Sequence, residues 1–332
     1  MKKGRMVYME NIINKLQRFN KTIDNEIEYE LNFIDKIGIF LDFLPEYLFH
    51  GTMLLDYTQY KFYDKKKKDR RKYVVFGRLL EIMKVCNNPQ NRYIFDNKVE
   101  FNKKFNKYIN REWVNVSEVT LDKFKDFIDK KKCIFIKEPL GMFGKGVDKI
   151  NCDEIDNIEE LFNEYQKNKI LCEETLSQCQ EMKDFNDTSL NTIRVVTMVD
   201  KNQKPHVIGA LLRLGRNGKV ADNFHHNGIA AYIDPEYGIV SSMGYDKNKT
   251  WHVVHPDSLK KIVGFEVPCW DKIVETVENA ALIMPDMRYI GWDIAITEDY
   301  NIELIEGNPG ADPDAEQITT HQGRWDLYKK YF

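Results

Sequence analysis

Residues 290–297, IGWDIAIT, and residues 302–310, IELIEGNPG, read as the two strands of one hairpin, with Glu298 to Asn301 as the turn. A turn of that length sets Thr297 opposite Ile302, and therefore Asp293 opposite Glu306. Two carboxylates facing each other about 5 Å apart repel, and strands this apolar tolerate them if a cation lies between. Asn308 lies two residues beyond Glu306 and projects to the same side of a continuing strand. Asp, Glu and Asn oxygens are the hard ligands that Mg²⁺ prefers, with phosphate oxygens and water completing its shell. The plainer alternative is a carboxylate pair solvated at a sheet edge. Gly307, Pro309 and Gly310 shape the backbone around the acids.

Upstream of the hairpin, Ile273, Val274, Val277, Ala280 and Ala281 mark one face of a helix between about residues 271 and 284. Strands are expected near 192–199, 207–214, 229–233 and 239–243, separated by Gly, Asn, Asp and Pro. Further back, residues 133–137, CIFIK, form another strand, and LGMFGKGV follows at 140–147. Gly141, Gly144 and Gly146 let backbone N–H groups approach phosphate oxygens, and Lys137 supplies a charge at the strand end. This is no Walker A loop, and taken alone it is also an ordinary turn. Thr120 caps a helix bearing Leu121, Phe124, Phe127 and Ile128, and Asp156 with Glu159 has the form of a capping box. From Phe95 onward the pattern is α+β. Residues 1–95 are helical in pattern, with Ile12, Ile13, Leu16 and Phe19 in one stretch and Leu31, Ile34, Ile37, Phe40, Leu41 and Leu44 in the next.

Composition narrows the class. In 332 residues, 49 Lys and Arg nearly balance 52 Asp and Glu, and a net charge of −3 gives no global attraction to nucleic acid. No apolar stretch is long enough to span a bilayer, and the N-terminal MKKGRMVYMENII has no signal-peptide core. Six cysteines without C-x-x-C spacing read as reduced thiols, so a cytoplasmic protein is expected. Cys172 sits in an apolar run and reads as core.

These stretches together resemble the ATP-grasp enzymes, most of all the sugar-transfer-associated ATP-grasp group, over roughly residues 97–323. The resemblance rests on NKKFNK at 102–107, FIKEPLGMFGKGV at 135–147, LCEETL at 171–176, NTIRVV at 191–196, the segment 211–228, GWDIAI and IELIEGNPG. It implies an ATP-grasp fold, two α+β subdomains clasping ATP, over residues 96–332 after a mainly helical region 1–95. The lid would span about 112–174, and the metal and substrate subdomain about 175–332. It further implies that Lys103 and Lys137 contact ATP phosphates, with Lys104 and Lys107 open to the same role as Lys103. The loop with Gly141, Gly144, Lys145 and Gly146 would fold over the phosphates. Glu173, Glu174 and Leu176 would lie beside adenine, with Glu181 at the ribose. Asp293, Glu306 and Asn308 would hold Mg²⁺ or Mn²⁺, and Arg194 and Arg213 would face the transferred phosphate or the acyl substrate.

The activity so implied is an ATP-dependent carboxylate–amine ligase working through an acyl phosphate, on a sugar acid or amino acid in surface polysaccharide modification. Its partners would be small carboxylate and amine substrates. A small-molecule kinase, or a non-catalytic nucleotide-binding partner of a glycosyltransferase, would use the same site. The run KFYDKKKKDRRK at 61–72 carries eight cationic and two anionic side chains. It reads as a solvated turn, or as a peripheral contact with an anionic membrane. His225 and His226 are adjacent and so point to opposite sides of a strand, which excludes a joint metal site.

Overall fold

The structure is a computed structural model and describes residues 14, 16–141, 146–216 and 228–332. The chain divides into two compact units, Met83–Ala311 with Tyr331–Phe332, and Met1–Ile82 with Asp312–Lys330. Each is described by itself.

The larger unit holds two antiparallel sheets. In the smaller, β1 (Trp113–Asn115), β2 (Cys133–Lys137), β3 (Val147–Asn151) and β4 (Leu171–Glu174) lie in the order β1-β4-β2-β3. Helices Leu121–Asp129 and Ile158–Lys167 cover it. Phe124, Phe127, Phe162 and Tyr165 pack with Ile134 and Cys172 into a core of their own. Thr120 caps the first helix as expected, whereas the second is capped by Asn157, which accepts from the Glu159 and Glu160 N–H groups, and not by Asp156. Burial pushes the Cys172 thiol up to about 12, consistent with an inert core residue.

The larger sheet contains β5 (Thr192–Val199), β6 (Pro205–Leu214), β7 (Ile229–Asp234), β8 (Ile239–Val240), β9 (Gly244–Asp246), β10 (Trp251–His252), β11 (Tyr289–Ile296) and β12 (Ile302–Asn308). Its order is β10-β9-β7-β6-β5-β11-β12, with β8 paired to β7. Ile193, Val195, Leu212, Trp292, Ile294 and Ile296 turn one face toward Ile273, Val277 and Ala280 of the helix Trp270–Ala281. Burying that face leaves the opposite face of β6, β5, β11 and β12 to carry the polar side chains.

The compact units part after Ile82, and Asn87 shows why the residues just beyond belong with the larger sheet. Its amide bonds the carbonyls of Tyr289 and Pro309, both at 2.8 Å, and so joins residues after 82 to the larger sheet. In the helical unit, Phe33–His50 starts at a capping box of Asn32 and Asp35 and stops at Gly51 in the left-handed region. Residues 312–330 belong here because Gln317 accepts the Val74 N–H at 2.8 Å and donates to the Val74 carbonyl at 3.0 Å and to Tyr60 Oη at 2.9 Å. Much of the basic run is spent inside the unit. Lys61 pairs with Glu28, Arg70 with Asp42 and Glu46, Arg71 with Glu46 and Lys72 with Asp69, while Lys66, Lys67 and Lys68 have no ion pair among the described residues. No helix of the described residues is long and apolar enough to cross a membrane.

Two glycines give opposite predictions. Gly51 has φ +65°, and a Cβ there would lie 2.8 Å from the Gly77 Cα, so Gly51→Ala should cost about 2 kcal/mol. Gly38, inside the helix Phe33–His50, has nothing within 4 Å of its Cβ position, so Gly38→Ala should add about 0.5–1 kcal/mol. Urea midpoints of the variants should bracket that of the parent in this order.

Candidate active site

The hairpin pairs Asp293 with Glu306, as the sequence leads one to expect, although the register gets there differently. The turn is one residue longer, so Ile296 faces Ile302, Ala295 faces Glu303 and Ile294 faces Leu304. An irregularity at Ile305 then restores the alignment, giving Asp293 with Glu306 and Gly291 with Asn308. The consequence is chemical. A strict two-residue alternation would put Leu304 on the polar face and Glu303 in the core, whereas the bulge sends Leu304 into the core and sets Glu303 beside Ala295, on the face of Asp293.

Neighbouring strands bring their arginines to the same face. Asp293 is register partner of Arg194 on β5, and Arg213 lies two residues beyond the β6 partner of Arg194. Arg194 grips both Asp293 oxygens, through Nε to Oδ1 and through Nη2 to Oδ2 at 2.9 Å, and Arg213 Nη1 reaches Oδ2 at 2.8 Å. Burial alone would raise the Asp293 pKa, but the two guanidiniums hold it well below the usual carboxylate range. Glu306 moves the other way, raised by the protein atoms packed round its carboxyl and by the Asp293 charge, although it is the more open of the two. Asn308 Oδ1 accepts the Gly310 N–H at 2.9 Å.

The small sheet supplies the facing groups. Lys137, at the end of β2, pairs with the buried Glu173 of β4. Glu173 also accepts from Arg111 at 3.0 and 3.1 Å and from the Asn102 amide at 2.8 Å. Arg111 continues to Glu303 on β12 at 2.7 Å and to the Leu304 carbonyl at 2.8 Å, so one guanidinium ties the small sheet to the large one. Burial would raise the Glu173 pKa, yet Arg111 and Lys137 hold it far below the usual range. Lys98, at the start of the helix Lys98–Lys104, donates to the carbonyls of Gly141 and, at 3.2 Å, of Glu138. Its pKa is lowered by burial and by Lys137, against the fields of Glu306, Glu173 and Glu138. Lys98 therefore belongs to the same cluster of charges as Lys137 and Glu306. Gly146 has φ +70°, and a Cβ there would meet the Glu138 side chain at 2.8 Å, so the loop's return to β3 depends on this glycine.

Residues 81–327 match the family described as sugar-transfer associated ATP-grasp. The chain belongs to the sugar-transfer associated ATP-grasp family. Membership places it among the ATP-grasp ligases as a class. Among solved structures, this ATP-grasp protein is similar to the ATP-grasp ligase PsnB complexed with minimal precursor, at 14% identity and TM-score 0.46 over 77% of this chain and 68% of that one. It is also similar to D-alanyl-alanine synthetase A from Vibrio cholerae, at 13% and 0.46 over 73% and 66%. A third likeness is to N5-carboxyaminoimidazole synthetase from Staphylococcus aureus complexed with ADP, at 11% and 0.40 over 69% and 52%. In the last two the chain spans less than two thirds of the neighbour's length. These likenesses are weak, and no residue role is taken from them. No curated protein matches the chain.

In this ATP-grasp protein the structure brings Lys137, Glu173, Arg194, Arg213, Asp293, Glu306 and Asn308 to the facing strands. Other expected residues lie elsewhere. Lys103 pairs with Glu118 at 2.6 Å and with Glu100 on the exposed side of its helix, and Lys98 is the lysine of that helix that meets the cluster. Glu173, expected beside adenine, is the hub of ion pairs to Arg111 and Lys137. Glu174 accepts the Glu112 N–H at 3.0 Å and pairs with Lys131 at 3.5 Å, Glu181 accepts from Tyr300 Oη at 3.0 Å, and Leu176 is half-buried after β4. Gly144, Lys145, His225 and His226 lie outside the described residues. Lys98, Arg111 and Glu303 were not singled out from sequence.

The oxygen donors fit a hard divalent cation. No three His, Cys, Asp or Glu side chains among the described residues converge on a metal, so two acids need the Asn308 amide oxygen to complete a set. Glu306 is the open carboxylate of the pair, with Asn308 on the same side, while Asp293 is already held by two arginines.

Proposed function

We propose that this protein is an ATP-dependent carboxylate–amine ligase acting on a sugar acid or amino acid in polysaccharide modification, in the cytoplasm. The observation that carries the reading is the meeting of four cations, Lys98, Lys137, Arg194 and Arg213, with the paired carboxylates Asp293 and Glu306 between two sheets. Phosphoryl transfer to an anionic acceptor needs this composition, because donor and acceptor repel until cations screen them. Lys98 and Lys137 would hold the phosphates of ATP. Glu306 and Asn308, with Asp293 beside them, would hold Mg²⁺ or Mn²⁺, and the bound ion would neutralise charge on the phosphates. Arg194 and Arg213 would orient the substrate carboxylate, whose oxygen attacks the γ-phosphorus as the bond to ADP breaks. An amine then adds to the acyl carbon, loses a proton, and expels phosphate. Arg111, by joining the two sheets, would keep the phosphate-binding lysines in register with the acids. Contact with glycosyltransferase machinery or an anionic membrane would draw on Lys66, Lys67 and Lys68, which have no ion pair among the described residues.

The test is release of ADP and phosphate across a panel of sugar acids and amino acids, with and without a co-substrate amine. Amine-dependent release with amide formation supports a ligase. A phosphorylated alcohol would make the protein a kinase, and no ADP with any acceptor would make it a non-catalytic partner.

A second prediction separates the lysines. Losing one preorganised charge costs roughly 3 kcal/mol of transition-state stabilisation, about a hundredfold in rate. Lys98→Met and Lys137→Met should each show that loss, while Lys103→Met keeps the parent rate. Slow turnover confined to Lys103→Met would return the phosphate role to Lys103.

A further inference from the structure

The helical unit contains a cleft of about 360 Å³ whose lining includes His50, Thr52, Arg70, Arg71, Arg78 and Glu81. Its three arginines are not partnered alike. Arg70 is satisfied by Asp42 at 2.7 Å and Glu46 at 3.3 Å, and Arg71 shares Glu46. Arg78 has no such partner. Its Nη1 donates to the carbonyls of Arg71 at 2.5 Å and Tyr73 at 2.7 Å, its Cζ lies over the Trp325 ring at 4.5 Å from the centroid, and it makes no ion pair among the described residues. Burial and the Arg71 charge both lower the Arg78 pKa, and they do the same to His50. The cleft thus holds one guanidinium, Arg78, that has no ion pair among the described residues and is oriented by backbone carbonyls and the Trp325 ring, with Glu81 and Asp326 acting on it only at a distance. Thr52, fully buried at this place, has a hydroxyl with no hydrogen-bond partner among the described residues. Glu81, the acid at the cleft, is exposed and one helical turn beyond Arg78.

We propose that this cleft is a second anion site, separate from the Asp293 and Glu306 site, which binds the phosphate group of a small phosphomonoester or of a lipid headgroup. A guanidinium presents a planar fork that matches two phosphate oxygens, and Arg78 is anchored through Nη1 to two carbonyls and over the Trp325 ring. The volume suits a phosphate with a short organic part. The surroundings of the cleft also suit a lipid. Phe49, which lines the cleft, is 77% exposed, and the helix it ends leaves Ile34, Ile37, Leu41 and Leu48 uncovered at helical spacing.

The test uses the full chain and two probes, inorganic phosphate in solution and vesicles of phosphatidic acid in phosphatidylcholine, with pure phosphatidylcholine as the control. Binding of either probe should weaken at least about tenfold in Arg78→Gln, the value of one charge-assisted pair. Both probes are read with the Asp293 and Glu306 site filled by a non-hydrolysable ATP analogue and Mg²⁺, so that phosphate held there does not count. Phosphate binding with that pattern identifies a soluble ligand, and sedimentation with phosphatidic acid alone identifies a headgroup. With the first site filled, binding of neither probe overturns the proposal, and so does binding that survives Arg78→Gln unchanged. If Arg78→Gln fails to fold, Arg78→Lys keeps the charge and loses the fork, and parent-like binding by that variant overturns it equally.

Discussion

Glu306→Gln is expected to lower ATP turnover by roughly a thousandfold, since a divalent ion at the phosphates stabilises the transition state by about 4 kcal/mol and Gln replaces an anionic ligand by a neutral one. Stability should not fall with it. Glu306 faces Asp293 in register and is the open member of the pair, so removing its charge relieves a like-charge contact and leaves the Asp293 grip on Arg194 and Arg213 untouched. The melting temperature should therefore stay level or rise while activity collapses, as at sites where function holds repelling groups together. Asp293→Asn should behave differently, because it strips two buried guanidiniums of their counterion and should lose both stability and turnover. ADP release measured beside thermal unfolding separates the cases. Parent-like turnover in Glu306→Gln would remove the metal from this end of the sheet.

The hairpin was readable because its apolar residues alternate and its acids break the alternation. Strands β2 and β5 have the bounds the sequence implied, since each is a short apolar run between polar turns. The bulge at Ile305 was not readable. Leu304 and Ile305 are both apolar and no glycine marks the irregularity, so a longer turn and a later bulge cancel without a trace in the sequence. Glu303 carried the missed signal. Acids at 303 and 306 cannot share a face of a regular strand, and one of them in the core would demand a buried cation. Choosing among Lys98, Lys103, Lys104 and Lys107 depends on how the helix Lys98–Lys104 and the turn after it dock. That is fixed by a bond from the Lys98 N–H to the Pro139 carbonyl at 3.0 Å, a long-range contact that no local pattern encodes.

Arg111 should be the most costly single residue to truncate. Its guanidinium is 2% exposed and lies between Glu173 at 2% and Glu303 at 0%, so Arg111→Met leaves two buried carboxylates short of a cation. Breaking a buried pair from one side costs roughly 3–5 kcal/mol, most of it the penalty of the charge left behind. Arg111→Lys should fall between, since the ammonium keeps the charge but cannot serve Glu173 through two nitrogens, Glu303 and the Leu304 carbonyl together. Restoring balance rather than charge should also help. Glu303→Leu in the Arg111→Met background should recover part of the loss, although Leu leaves the Asn110 N–H without its 2.8 Å acceptor. The pH dependence has a definite sign. Glu173 is held below its usual value in the folded parent, so it contributes stability above that range and loses the contribution as pH falls through it. Without Arg111 its folded pKa rises and acid protonates the buried carboxylate. The stability gap between parent and Arg111→Met should then be widest at about pH 7 and narrow toward about pH 4.5. Urea unfolding at the two pH values decides the matter, because a gap that widened in acid would mean Arg111 acts through packing and not through the charge of Glu173.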